Sequence, residues 1–222
     1  MLAVLYDIHG NLPALARVLD ETESLAVDGF VLGGDYGTPS PWPLETLDRL
    51  RALPNATWIR GNGERWLREP PHDRPEVMEA YDVFSGGLPD ELVEWLYALP
   101  AQAELDGNLY VHGSPLSDVE SFAPEPQDHE GRMLAGVHDR TIVFGHSHQQ
   151  FRRPGPDRTD LVNPGSVGMP LDGDPRAAWA TWDRAFVFRR TEYDHERAAA
   201  AYRTLGGNFG EFVAGRILKG SD

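Results

Sequence analysis

The sequence predicts an α/β fold built on parallel strands, and three observations carry that prediction. Short apolar runs stop abruptly at Gly, Asp, Asn or His. Apolar residues at helical spacing follow the first two of these runs. The polar stops then recur from the first strand to the last third of the chain: Asp7-x-His9, Gly34-Asp35, Gly61-Asn62, His112-Gly113, Gly145-His146-x-His148 and Asn163-Pro164-Gly165. A strand that ends in a polar loop and leads into an amphipathic helix is half of a βαβ unit, which places ligand-binding loops at the C-terminal ends of parallel strands.

Taken in order, Leu2 to Tyr6 forms the first strand and breaks at Asp7-Ile8-His9-Gly10-Asn11, after which Leu12, Leu15, Ala16 and Leu19 repeat with helical period. Gly29 to Leu32 runs into Gly33-Gly34-Asp35, and the stretch Pro43 to Leu53 places Leu44, Leu47 and Leu50 on one face. A third unit reads Thr57-Trp58-Ile59 into Arg60-Gly61-Asn62. Between Asn62 and His112 the pattern changes. Pro70, Pro71 and Pro75 interrupt helix-like stretches, and Asp90 to Leu99 is amphipathic with Leu92, Val93, Leu96 and Leu99 inward. The expectation is one domain over residues 1–222 with a helical, proline-containing insertion at about 64–100, packed near the site. Strand character returns at Leu109-Tyr110-Val111, before His112, and at Thr141 to Phe144, before Gly145. Pro115 to Asp128 is acidic and holds three prolines, a surface loop that is either plainly solvated or one rim of a cleft. Ala177 to Trp182 and Ala185 to Arg190, joined at Asp183-Arg184, read as a hairpin, and Glu192 to Leu205 reads as a helix. The tail from Glu192 lies outside the polar set and is expected to cover a sheet edge or form a dimer contact, which leaves a homo-oligomer open.

Bulk properties narrow the chemistry. At 222 residues and 41% hydrophobic composition the chain can bury a large core. No apolar run approaches the ~20 residues of a membrane span, and the N-terminus has no basic leader, so a soluble, unprocessed, cytoplasmic protein is expected. The absence of cysteine excludes disulfides and thiolate ligands, so any metal is held by nitrogen and oxygen. A formal charge of −15 without a Lys/Arg cluster makes long DNA or RNA a poor partner. Divalent metals would still make one site locally positive, which keeps a small phosphate ester in play.

The polar stops suit such a site. Asp7, His9, His112, His146 and His148 offer carboxylate and imidazole ligands, Asn62 a neutral carbonyl, and Asp35 two oxygens that can bridge two metals. This mixed set suits Mn²⁺, Fe²⁺, Zn²⁺ or Ni²⁺, and two such ions ~3.5–4 Å apart lower the pKa of a bridging water and clamp both oxygens of an in-line displacement at phosphorus. Asn11, Arg60, Arg65 and Ser114 are candidate substrate contacts. Asn11 either holds phosphate or caps the helix at Leu12, and Arg60 either faces the non-bridging phosphate oxygens or forms an ion pair at the core edge. Trp66, Tyr81, Phe84 and Trp95 read as core aromatics rather than as a stacking platform. His72, His129, His138 and His195 read as surface residues, with His72 an alternative proton donor if the prolines around it turn it over the site.

The ordered set D-x-H, G-D, G-N, H-G and G-H-x-H resembles the calcineurin-like metallophosphoesterase superfamily from Met1 to about Gly168, and most resembles its small bacterial and archaeal phosphodiesterase-like branch. The resemblance implies a four-layer α/β/β/α sandwich with the site at its top. It implies Asp7, His9, Asp35 and His148 on one metal and Asp35, Asn62, His112 and His146 on the other, with Asp35 bridging, Asp35, Asn62 and His112 central to catalysis, and Mn²⁺ favoured. The implied activity is hydrolysis of a small or nucleotide-like phosphodiester by a metal-bridging hydroxide. Phosphomonoesterase, protein phosphatase and dinucleoside polyphosphate hydrolase are the alternatives within the class. A binding scaffold of the same fold is the alternative outside it, marked by lost ligands, whereas every ligand position here is kept. The chain departs from the family at Gly61-Asn62-Gly63-Glu64, where the fuller motif is G-N-H-[D/E]. The imidazole credited with protonating the leaving group is missing, which predicts a preference for activated esters. Glu64 stands at the family's acidic position, and its plain reading is a charge at a helix start.

Overall fold

The computed structural model describes residues 1–73, 78, 81 and 87–222, and within them two five-stranded sheets are flanked by helices. The strands are β1 (Leu2–Leu5), β2 (Gly29–Leu32), β3 (Ala56–Trp58), β4 (Gln102–Leu105), β5 (Asn108–Val111), β6 (Thr141–Val143), β7 (Gln150–Pro154), β8 (Asp160–Pro164), β9 (Ala177–Trp182) and β10 (Phe186–Thr191). The helices are α1 (Leu12–Ser24), α2 (Pro43–Arg51), α3 (Asn62–Trp66), α4 (Asp90–Tyr97), α5 (Glu130–Met133), α6 (His195–Arg203) and α7 (Gly207–Lys219).

One sheet has the order β10-β9-β1-β2-β3 and the other β4-β5-β6-β8-β7. β1, β2 and β3 are parallel, as are β5, β6 and β8, while the hairpin β9–β10 joins the first sheet antiparallel at β1. Side-chain alternation divides β1 between two interiors. Val4 and Tyr6 pack with Val31, Tyr110, Val143, Val162 and Ala180 between the sheets, whereas Ala3 and Leu5 pack with Leu15, Val18, Trp179 and Ala198 under the helices. A third cluster, with Leu109, Phe122, Met133, Ile142 and Phe144, covers the far face of the second sheet. Burial of both strand faces is why these runs read as continuous apolar segments rather than as alternating ones. The result is the four-layer α/β/β/α sandwich.

The register brings the strand ends together. β1 and β2 pair from Leu2↔Gly29 to Leu5↔Leu32, so their exit loops run side by side, with Asp7 N donating to Gly34 O (3.2 Å) and His9 N to Asp35 O (2.8 Å). In the second sheet Gly145 N donates to His112 O (2.7 Å), and Tyr6 Oη reaches across the interior to Val143 O (3.0 Å). Two features differ from expectation. The chain continues past the predicted helix at Glu192 into α7; and α6 packs on α1 while α7 packs on α6, so that Tyr202 of α6 and the face of α7 reach the site. No helix among the described residues is long and apolar enough to cross a membrane.

Candidate metal centre

Asp7 and His9 follow β1, Asp35 follows β2, Asn62 opens α3, His112 follows β5, and His146 and His148 follow β6. Five of these side chains hang from left-handed backbone: φ is +51° at Asp7, +47° at His9, +56° at Asp35, +63° at His146 and +57° at His148. Such conformations cost roughly 1–3 kcal/mol each outside glycine and persist where the surroundings impose them, which is typical of functional sites. The turns also need close backbone approach. A Cβ on Gly34, itself at φ +95°, would lie 2.6 Å from Gly61 N and 2.7 Å from His112 Nδ1.

The ligand atoms converge. Asp7, His9 and His148 form one compact group and Asp7, Asp35 and His112 another, each with its ligand atoms within 4.8 Å of one another. Asp7 Oδ1 is 3.5 Å from His148 Nε2, 3.8 Å from His112 Nε2 and 3.9 Å from His9 Nε2, while Asp35 presents Oδ2 to His9 (3.8 Å) and Oδ1 to His112 (3.5 Å). Asn62 Oδ1 lies 3.0 Å from His112 Nε2, and the same position is 2.8 Å from His146 Nδ1. The outer ring nitrogens are tied down: His112 Nδ1 donates to Gly33 O (2.8 Å) and His148 Nδ1 to Met169 O (2.7 Å), so both Nε2 atoms face inward. His148 Nε2 and His9 Nε2 are only 3.0 Å apart.

The donor set fits divalent metal. Asp7 Oδ1 is fully buried without a hydrogen-bond partner, and Asn62 Oδ1 faces acceptors, arrangements that are unfavourable unless a cation or a proton stands among them. Burial, reinforced by the neighbouring imidazoles, pulls His9 and His146 down to about 3, keeping both neutral and able to ligate. Burial pushes Asp35 up to about 7 against the attraction of His112. Burial opposes a charge on His112, yet the carboxylates of Asp35 and Asp7 carry it up to about 9. Asp7, despite a burial penalty, is held well below the usual carboxylate range by His148 and His112.

The surrounding residues decide the geometry. Glu64 is buried, and its carboxylate accepts from three backbone amides, Asp35 N (2.9 Å), Tyr36 N (2.8 Å) and Gly61 N (2.9 Å); the plain helix-start reading therefore understates it. Asn163 Nδ2 donates to Ser147 Oγ (2.9 Å) and Gly145 O (3.3 Å), and its Oδ1 accepts from Gly165 N (2.9 Å), which ties the Asn-Pro-Gly turn to the His146 and His148 loop. Arg65 holds Asp118 of the acidic loop through a bidentate pair (2.7 and 2.8 Å), and Ser114 Oγ turns to Ser117 O (3.3 Å).

Several candidates fall elsewhere. Asn11 is buried and caps α1, accepting from Ala14 N (3.2 Å) and donating to Gly168 O (2.7 Å). Arg60 donates to Tyr97 O (2.7 Å) and stacks on the Tyr97 ring at 4.9 Å, and it does not line the cavity at the ligand cluster. His72, His129 and His138 are exposed, His72 in a separate groove beside Arg65 and Glu69, and half-buried His195 bonds Pro175 O (2.9 Å). Trp95 packs edge-on against Trp58 (5.1 Å), while Phe84 lies outside the described residues.

The ligands open into a cavity of about 670 Å³. His9, Asp35, Asn62, His146 and His148 line one part, Trp66 and Tyr81 another, and Asn208, Phe209, Phe212, Val213 and Arg216 of α7 a third. Sequence reasoning missed the α7 contribution. The spacing of Phe209, Phe212, Val213 and Arg216 at i, i+3, i+4 and i+7 is the signal that could have found it.

The sequence profile described as the calcineurin-like phosphoesterase superfamily domain matches residues 1–184. The uncharacterized protein MJ0912 of Methanocaldococcus jannaschii is 24% identical, the match covering 89% of this chain and 90% of that protein. A metallophosphoesterase from Sphaerobacter thermophilus superposes with a TM-score of 0.79 at 25% identity, over 99% of both chains. Yfce, a phosphoesterase from E. coli, shares the fold with a TM-score of 0.52 at 19% identity, over 86% of this chain and 99% of its own.

Proposed function

We propose, from the premise that the chain belongs to the calcineurin-like phosphoesterase superfamily, that it hydrolyses small phosphodiesters at a centre for two divalent metal ions. The observation that carries this reading is the convergence of two aspartates, an asparagine carbonyl and inward-facing imidazoles around the unpartnered Asp7 Oδ1. Asp7, His9, Asp35 and His148 would hold one ion and Asp35, Asn62, His112 and His146 the other, with Mn²⁺ the favoured metal. When bound, such ions supply Lewis acidity and activate water. The chain's own residues do the rest. Glu64 fixes the Asp35 and Gly61 turns, and the Gly33 and Met169 carbonyls orient His112 and His148.

Tyr81 stands where the family's missing histidine would project. Its hydroxyl lies 3.1 Å from the position of a Cβ at residue 63, donates to Gly63 O (3.0 Å), and belongs to the wall shared with Asp35 and Asn62. Burial, with the charges of Asp35 and Glu64, raises its pKa, so it keeps its proton at neutral pH; its place beside residue 63, not that shift, makes it the candidate hydrogen-bond donor to the leaving-group oxygen. The stretch at about 64–100 then serves as an insertion in one domain that delivers Trp66 and Tyr81 to the cavity.

A diester is favoured over a monoester on charge grounds. Among the described residues lining the cavity, Arg216 is the single Arg or Lys, so apart from the metals little is available for the second charge of a monoester dianion, whereas the apolar walls accommodate a second ester arm. The test is hydrolysis of bis(p-nitrophenyl) phosphate beside p-nitrophenyl phosphate by chelator-stripped protein reconstituted with Mn²⁺, with metal content measured in parallel. Metal-dependent turnover that favours the diester is expected. A monoester preference would make this a phosphatase, and two bound metals without turnover on either ester, repeated with Fe²⁺, Ni²⁺ and Zn²⁺, would favour a binding scaffold.

A further inference from the structure

Helix α7 lies beyond residue 184, where the superfamily match ends, yet it builds part of the cavity wall at the ligand cluster. Its placement is enforced. Val213, Ala214 and Ile217 are buried in the core, α7 packs along α6, and Tyr202 of α6 donates to His9 O. Two aromatic groups consequently meet the same space. Trp66 and Tyr81 stand edge-to-face at 5.9 Å, and Phe209 and Phe212 come from α7. Phe212 is 54% exposed, an unusual state for a large apolar side chain on a cavity wall.

Arg216 lines the cavity with them. Its guanidinium stacks on Phe212 at 4.1 Å and one terminal nitrogen bonds the exposed Asp222 carboxylate, but Nε is buried and has no hydrogen-bond partner. The Arg216 side chain nonetheless keeps 23% of its surface exposed, and an anionic oxygen entering the cavity would compete with Asp222 for its terminal nitrogens. The volume, about 670 Å³, is that of a site for a drug- or nucleotide-sized molecule.

We infer that α7 forms the specificity subsite of this centre, and that it selects phosphoesters whose organic part is a planar aromatic ring, with Phe212 on the ring and Arg216 on an anionic oxygen of the same molecule. The inference rests on the phosphoesterase reading for the position of the phosphoryl group. Aryl and nucleoside esters share the required chemistry, and alkyl esters lack it. On this reading the motif residues supply the reaction and α7 supplies the selection.

Calorimetric titration of the metal-loaded protein with phenylphosphonate and methylphosphonate tests this without turnover. The wild type is expected to bind the phenyl compound at least about tenfold more tightly, because a ring that stacks on an aromatic wall leaves water. Phe212→Ala, at an exposed position that folding tolerates, is expected to reduce that ratio to about threefold or less. Arg216→Gln is expected to weaken phenylphosphonate about tenfold and Arg216→Lys less, whereas Asp222→Ala, which frees the guanidinium, leaves affinity equal or tighter. Equal affinity for the two phosphonates, no binding of phenylphosphonate, an unchanged ratio in Phe212→Ala, or the same loss in Arg216→Gln and Asp222→Ala would each overturn the inference. The last result would reduce Arg216 to an anchor for the chain end. Ring-selective binding by a protein that hydrolyses neither diester nor monoester would refute the phosphoesterase reading alone, while ester hydrolysis without ring selection would refute the subsite alone.

Discussion

Substituting Glu64 by Gln tests how the centre is held without touching a proposed ligand. The carboxylate is 2% exposed; Oε2 accepts from Asp35 N and Gly61 N, each at 2.9 Å, and Oε1 from Tyr36 N at 2.8 Å. A glutamine keeps one oxygen for the first pair and turns its NH₂ toward the Tyr36 N–H, so one charge-assisted hydrogen bond is lost and a buried donor is left facing another donor. Hydrogen bonds to charged groups contribute roughly 1.5–3 kcal/mol and a buried orphan costs roughly 1–3 kcal/mol, terms that overlap, so the variant should lose about 2–4 kcal/mol. Glu64→Ala, which orphans all three amides, should lose more. The same turns carry Asp35 and Asn62, and loss of a residue that orients ligands typically lowers metal affinity about 10–100-fold. Electrostatics alone predict the opposite sign, because the Glu64 charge raises the Asp35 pKa and its removal favours the ionised ligand. Urea unfolding of chelator-stripped protein and titration with Mn²⁺ read the two effects separately. A Glu64→Gln protein with both the wild-type midpoint and the wild-type Mn²⁺ affinity would refute the claim that this carboxylate shapes the site.

Tyr81→Phe should slow esters with poor leaving groups by about 10²-fold and nitrophenyl esters far less, a steeper dependence of kcat on leaving-group pKa that a purely structural tyrosine would not produce. Arg60→Ala should leave KM for bis(p-nitrophenyl) phosphate unchanged and lower stability by about 1 kcal/mol, since its guanidinium serves Tyr97; a severalfold rise in KM would return it to the site. The metal-free protein should lose stability as pH falls from about 6 to about 4.5. In that window the unfolded chain carries protons on His9, His146 and His112, while the folded protein, with His9 and His146 held near 3, Asp35 raised to about 7 and His112 to about 9, carries them on His112 and Asp35 only. Three protons against two is a net uptake of one on unfolding, a slope of about 1.4 kcal/mol per pH unit, and a urea midpoint that is flat or rises on acidification would contradict the assignment.

Much of the candidate centre was legible because its proposed ligands sit where strands stop. An apolar run that ends at Asp7, Asp35, His112 or His146 announces a strand and a functional loop in the same few residues, since in parallel sheets the loops at the C-terminal strand ends gather on one edge. The hairpin of β9 and β10 and the inward face of α4 were likewise local patterns of period two and 3.6. The same local reading could not separate the two roles open to Asn11 and Arg60, because a cap and a phosphate ligand use the same amide, and a stacked guanidinium and a catalytic one the same side chain. Their neighbours, Ala14 and Gly168 for one and Tyr97 for the other, made the choice.

By itself, then, the order of motifs marked out the proposed ligand set, the α/β class and, through resemblance, the superfamily. Only the tertiary structure decided what surrounds the ligands: that Glu64 is a buried clamp on two turns, that Tyr81 meets the space beside Gly63, and that α7 returns from the chain's end to wall the cavity with Phe212 and Arg216. The reason is physical. Ligand chemistry is carried by residue type at a strand end and is local, whereas the cavity wall depends on which distant faces pack together, and Phe212 lies 205 positions from Asp7 in a chain whose folding brings both to one site.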